Sequence, residues 1–221
     1  MRAEFQGDGR IVVLGVAKAL INSGSLVDET LRDEKFDLIL LSITQEEVAG
    51  LKEFVKHPIE VEMDDIEIIY EYFMQRFGET SIPPAAYIKA LDYADKSGTE
   101  VEGIDIPSGK YEDLFVEKVK LSDIIFLSLK KKRILKRKWT STDAESFCVE
   151  WDDYVTRGGY RKVEDERATY MSSRIIEKQK KDTLAILEME VFNQVVDLLN
   201  TQLQPGKSLQ TGAEMRAVLS Q

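Results

Sequence analysis

Histidine and cysteine are nearly missing from this chain: its 221 residues include one of each, His57 and Cys148. A lone cysteine excludes an intramolecular disulfide and suits a reducing compartment, so a cytoplasmic location is expected. Any zinc site built from imidazole and thiolate would need both residues, and they lie in unrelated segments. His57 ends a helical pattern just before Pro58, where a cation favours the helix dipole. Cys148, between Phe147 and Val149, reads as a small buried apolar residue without a histidine neighbour to activate it. Long apolar runs are missing too. No stretch approaches the roughly 20 residues of a membrane span, and the polar segment 1–10 holds no signal-peptide core.

What is present is charge. Forty Asp and Glu against thirty Lys and Arg give a net charge of −10. Self-repulsion of that sign disfavours a general nucleic-acid binder and leaves room only for a local basic patch. With 43% hydrophobic residues the chain has enough apolar surface for one sizeable core. A homodimer or another protein partner is expected on the general tendency of soluble proteins to pair, with the charged helices and the tail as contact surfaces.

Along the chain, RIVVLG (10–15) and DLILLSI (37–43) are short apolar runs that read as buried strands. A short helix is expected over 25–31, with Ser25 as its cap. Thr44 with Glu47 forms a capping box for a helix running to Lys56, with Val48, Leu51, Phe54 and Val55 as its apolar stripe. Ile66, Ile69, Tyr70, Phe73 and Phe77 recur at helical spacing. Pro83 and Pro84 open another helix, 85–97, closed by Gly98. A third strand is expected over 99–106, one long helix over 111–135, a charged helix over 163–181, a fourth strand in 182–189 and a last helix over 191–203. Segment 140–160 is polar and reads as a loop or lid. Strands alternating with helices argue for parallel pairing in a layered α/β sheet. One domain, 1–203, followed by a polar tail, 204–221, is the expected organisation.

Five segments in chain order carry a resemblance. They are GVAKALINSGSLV (15–27), FDLILLSITQEE (36–47), KALDYADKSGTEVEGIDI (89–106), VEDERATYM (163–171) and TLAILEMEV (183–191). In this order they resemble the TraB/PrgY family, part of a wider group with the Tiki proteases and the erythromycin-esterase and haem-uptake ChaN-like proteins. The resemblance implies a three-layer α/β fold with a central, largely parallel or mixed sheet flanked by helices. It also implies a hydrolase site assembled from two G-x-x-H motifs and acidic residues at strand ends. Here the first motif ends in Lys18 instead of histidine. The second reads Glu188, Met189, Glu190, Val191. Ser42 and Thr44 replace the strand-end acids, and Ile106 replaces an arginine, while Asp105, Arg167, Tyr170 and Met171 keep the family pattern.

These departures remove the imidazoles that would bind a metal or act as bases near neutral pH. The expected function is a catalytically inactive scaffold acting by protein association, with no organic cofactor. If the strand ends meet, Lys18, Ser42, Asp105, Glu188 and Glu190 would share one edge with Arg167 nearby, where α/β sheets place ligands. One expectation for that edge is an ion pair of Lys18 with Glu188 or Glu190 filling the pocket. Another is Mg²⁺ or Mn²⁺ held by Asp105, Glu188 and Glu190 in a carboxylate-only hydrolase of peptidase or esterase type. A third is a Ser42–Lys18 nucleophilic pair. Separately, Lys130, Lys131, Lys132, Arg133, Lys136, Arg137 and Lys138 form a basic cluster, an anion or nucleic-acid surface in the functional reading and a solvated helix end in the plain one.

Overall fold

Three apolar runs buried on both faces, RIVVLGV, LILL and DTLAILE, form the centre of the sheet in the computed structural model, which describes residues 1–59 and 61–203. In chain order the elements are β1 (Arg2–Gln6), β2 (Arg10–Val16), α1 (Ile21–Asp33), β3 (Leu38–Leu41), α2 (Gln45–Lys56), α3 (Asp65–Met74), α4 (Ala85–Ser97), β4 (Glu100–Gly103), α5 (Ser108–Lys118), α6 (Leu121–Ile134), α7 (Ala144–Val155), α8 (Gly159–Lys178), β5 (Asp182–Glu188) and α9 (Met189–Leu203). The strand order is β1-β2-β5-β3-β4. β1 is an antiparallel edge, and the other four strands are parallel, with Val16 opposite Glu188 and Leu41 opposite both Ile186 and Gly103.

Side-chain alternation splits the strands between two cores. Val12, Leu14, Ile39, Leu41, Leu184 and Ile186 face α1, α2 and α4, which contribute Val27, Leu31, Val48 and Ala90. Ile11, Val13, Leu38, Leu40, Ala185 and Leu187 face the opposite layer, where Phe147, Trp151, Met171, Phe192 and Leu199 come from α7, α8 and α9. Helices thus cover both faces of a mostly parallel sheet, giving the three-layer α/β architecture.

Several boundaries differ from the sequence expectation. β1 is not expected from the sequence, because of its five residues only Phe5 is fully buried. Helix α1 starts at Ile21, four residues before the expected Ser25 cap. The small residue Gly24 in its first turn allows close packing, a Cβ there lying only 3.0 Å from Ala85 Cβ. The expected strand over 99–106 shortens to β4. The long helix expected over 111–135 is broken at Val119 and Lys120 into α5 and α6. Segment 140–160 is not a loop: Asp143 accepts the Ser146 N–H at 2.8 Å and starts α7, whose Phe147, Cys148 and Trp151 are buried. In α2 the Thr44–Glu47 capping box is present, at 3.1 and 2.7 Å, but only Val48 of its stripe is fully buried and Val55 is exposed. No helix among the described residues is long and apolar enough to cross a membrane. The expected tail, 204–221, lies outside the described residues.

Candidate functional site

Because β2, β3, β4 and β5 run in one direction, their C-terminal ends lie along one edge of the sheet. β2 is followed by Lys18. β3 is followed by Ser42, whose N–H bonds Ile186 O at 3.1 Å, and β4 by Asp105, whose N–H bonds Ile43 O at 3.0 Å. β5 ends in Glu188 and passes without a loop into α9, so Glu190 sits in the first helical turn, where a carboxylate complements the dipole. Helices then close over the edge. α8 carries Glu164 and Arg167, α3 carries Tyr70, α4 carries Tyr87, and α7 carries Trp151 and Asp152. Together these residues line an open cavity of about 440 Å³. Lys18, Ser42, Asp105, Arg167, Glu188 and Glu190 therefore share one site.

An ion network organises its floor. Arg167 donates from Nε to both oxygens of Asp105, at 3.1 and 3.0 Å, from Nη1 to Glu164 at 2.7 Å and from Nη2 to Glu188 at 3.1 Å. Glu188 receives Lys18 on its other oxygen, Nζ to Oε2 being 2.7 Å. Burial pushes the Glu188 carboxyl up, but Lys18 and Arg167 outweigh it and hold the group at about 2. Conversely, Glu188 holds the Lys18 ammonium above the usual lysine value against the effect of burial. Lys18 is 43% exposed, so the ion pair forms part of the cavity wall and does not fill the cavity.

Ser42 is 1% exposed. Its hydroxyl accepts the Glu188 N–H at 3.0 Å and shares a hydrogen bond of 2.9 Å with the Tyr87 hydroxyl. It is a structural link between β3, β5 and α4. Lys18 is paired with a carboxylate and is no base for it, so the expected Ser42–Lys18 nucleophilic pair is not assembled. The expected metal set fares similarly, since Arg167 already bridges Asp105 and Glu188. Among the described residues no group of three Asp, Glu, His or Cys side chains is placed to hold a metal ion.

Glu190 has a different environment. The Tyr70 hydroxyl donates to its Oε1 at 2.8 Å, and the Cys148 thiol lies 3.0 Å from the same hydroxyl. Its Oε2 is buried without a hydrogen-bond partner among the described residues. Burial and then the charge of Glu188 raise the Glu190 carboxyl above its ordinary value. Burial likewise raises the Tyr70 hydroxyl, with Glu190 adding to it, and the same two causes raise the Cys148 thiol. The cysteine is a buried, inert thiol. His57 caps α2 on the exposed surface, 3.7 Å from Glu53.

The basic cluster is dispersed over several contacts. Lys130 is buried and donates to Tyr154 O, and burial, helped by Arg157 and Arg137, lowers its ammonium to about 8. Lys131 pairs with Asp65 at 3.0 Å and Arg137 with Glu150 at 3.3 Å. Arg133, Lys136 and Lys138 are exposed; of Lys132 only its place in α6 is described. Trp139, which directly follows the cluster in sequence, packs against Phe73, Phe147, Trp151 and Tyr154 and so is not presented for base stacking.

Sequence reasoning placed the strand-end residues but missed Tyr70, Tyr87, Trp151, Asp152 and Glu164. Tyr70 stood in a helical stripe that reads as core, and Glu164 stood within the VEDERATYM segment without distinguishing mark. Compared with known proteins, the sequence matches no family model and no curated protein.

Proposed function

We propose that the chain is a non-catalytic member of the TraB/PrgY-like group, a binding protein that works by association and not by bond cleavage. One observation carries this reading: at the sheet edge, the two residues that stand as candidate base and nucleophile, Lys18 and Ser42, are already engaged. Lys18, at the first histidine position of the resemblance, is ion-paired with Glu188 at 2.7 Å. Ser42 is buried between the Glu188 N–H and the Tyr87 hydroxyl. The remaining feature is a preorganised cavity, and a cavity of this volume at the C-terminal edge of a parallel sheet suits ligand binding.

The partner surface in this reading is α6. Leu121, Ile125 and Leu129 follow one another at four-residue spacing and are all more than half exposed, with Arg133, Lys136 and Lys138 exposed just beyond. A basic, apolar face on an otherwise acidic chain suits a second copy of that chain, so a homodimer is the association proposed. Sedimentation over a range of concentrations tests it. A monomer at all concentrations, or a dimer unaffected by the charge that Ile125→Glu places on this face, would refute the assignment of α6. Hydrolysis assays with ester and peptide panels, with and without Mg²⁺ and Mn²⁺, test the non-catalytic reading. Turnover that disappears in Lys18→Ala or Glu190→Ala would overturn it.

A further inference from the structure

The cavity at the strand ends is charged asymmetrically. Among the described residues eight carboxylates line it against two cations, Lys18 and Arg167. Both cations are already engaged, Lys18 by Glu188 and Arg167 by Asp105, Glu164 and Glu188. An incoming anion would have to displace one of these contacts and meet an excess of negative charge. Glu190 is the exception among the inner acids, because among the described residues its one side-chain hydrogen bond comes from Tyr70 and its Oε2 has no partner. An ionised carboxylate has lone pairs for about four donors, so Glu190, one of the residues lining the cavity, has acceptor capacity left over. Beside it stand Tyr70 and Trp151, edge to face with ring centroids 5.2 Å apart, and the apolar side chains of Ile66 and Val155. Aromatic faces next to carboxylates attract cations, and an apolar wall accommodates methylene groups.

We propose that this cavity takes a small aliphatic ammonium compound, a mono- or diamine whose charged nitrogen donates to the Glu190 carboxylate while its methylenes lie along Ile66, Tyr70 and Trp151. The proposal rests on the cavity being a non-catalytic binding site and adds the chemical class of its ligand. A cation at Glu190 also relieves the burial and the repulsion from Glu188 that disfavour ionisation of that carboxyl. Arg167 sets the orientation, since its charge keeps the ammonium group away from the Asp105 and Glu188 end.

Isothermal titration of the full chain at low ionic strength tests this, with 1,4-diaminobutane and, as the anion of similar length, adipate. The diamine is expected to bind and adipate to give no heat at millimolar concentration. Glu190→Gln, which keeps the shape and the acceptor for Tyr70, is expected to weaken the diamine by about tenfold or more. Glu46→Gln, on α2 outside the cavity, is expected to leave its affinity unchanged. No heat with the diamine, preference for adipate, or equal losses in the two variants would each overturn the ammonium assignment. The same samples are assayed for hydrolysis. Turnover that depends on Glu190 overturns the non-catalytic reading whichever probe binds, whereas adipate binding without turnover overturns only the ligand class.

Discussion

Replacing Arg167 by methionine leaves Glu188 and Asp105 buried with much of their compensation removed. In the native chain the guanidinium is only 16% exposed and both carboxylates are 9% exposed, so the group is not a solvent-screened surface pair. Breaking one side of a buried pair costs about 3–5 kcal/mol, because the orphaned charge remains. For a domain of this size each kcal/mol moves Tm by roughly 2–4 °C, so Arg167→Met is expected to melt roughly 6–20 °C lower at pH 7. The pH dependence has a definite sign. Glu188 is held at about 2 against an ordinary 4.5, so the stability it contributes is fully present above the ordinary value and disappears as pH falls toward 2. That contribution is on the order of 3 kcal/mol. Without Arg167 the burial of Glu188 is opposed by Lys18 alone, its carboxyl rises, and protonation relieves the variant at a higher pH. The gap between wild type and variant is therefore largest at neutral pH and narrows below about pH 4. Glu34, held at about 2 by Arg2 and then Arg10 against burial, loses its contribution in both proteins alike and cancels. Urea unfolding followed by circular dichroism at pH 7 and pH 3 measures the difference, and a cycle with Glu188→Gln isolates the pair, with an expected coupling of about 1–3 kcal/mol. A loss below about 1 kcal/mol that does not change with pH, as for an exposed salt bridge, would refute the network as described.

Ser42→Ala removes the acceptor of the Glu188 N–H and the partner of the Tyr87 hydroxyl. It is expected to cost about 1–3 kcal/mol in urea unfolding, and a stability equal to wild type would contradict the linking role. Gly15→Ala places a Cβ 2.7 Å from Met189 Sδ and from the Phe192 ring. The expected loss is about 1–3 kcal/mol, read as a lower Tm, and a neutral substitution would show that α9 packs less tightly on β2 than described. Cys148, buried and with its thiol raised by burial and then by Glu190, is expected to react with a maleimide only on the timescale of unfolding. Fast labelling of the native protein, followed by mass spectrometry, would place the thiol at the surface.

The layered α/β class was legible in the sequence because β2, β3 and β5 are apolar on both faces, which only a sheet covered by helices on both sides requires. Local chemistry marked α2 through Thr44 and Glu47, and α4 through Pro84 and the left-handed Gly98. Parallel pairing then made it possible to expect the residues after those strands, Lys18, Ser42, Asp105, Glu188 and Glu190, at one edge. What escaped the sequence was decided by contacts between distant segments. β1 exists because Arg2–Gln6 finds an unpaired edge of β2, and α7 forms because Phe147, Cys148 and Trp151 meet the aromatic side chains of α3. The scarcity of histidine and cysteine was a property of the sequence alone. That Arg167 joins an aspartate 62 residues away, that Lys18 meets Glu188, and that Glu190 keeps an oxygen without a partner among the described residues were settled only when helices from both layers closed over the sheet edge. Burial determines what a charge costs, and burial is a property of the folded chain.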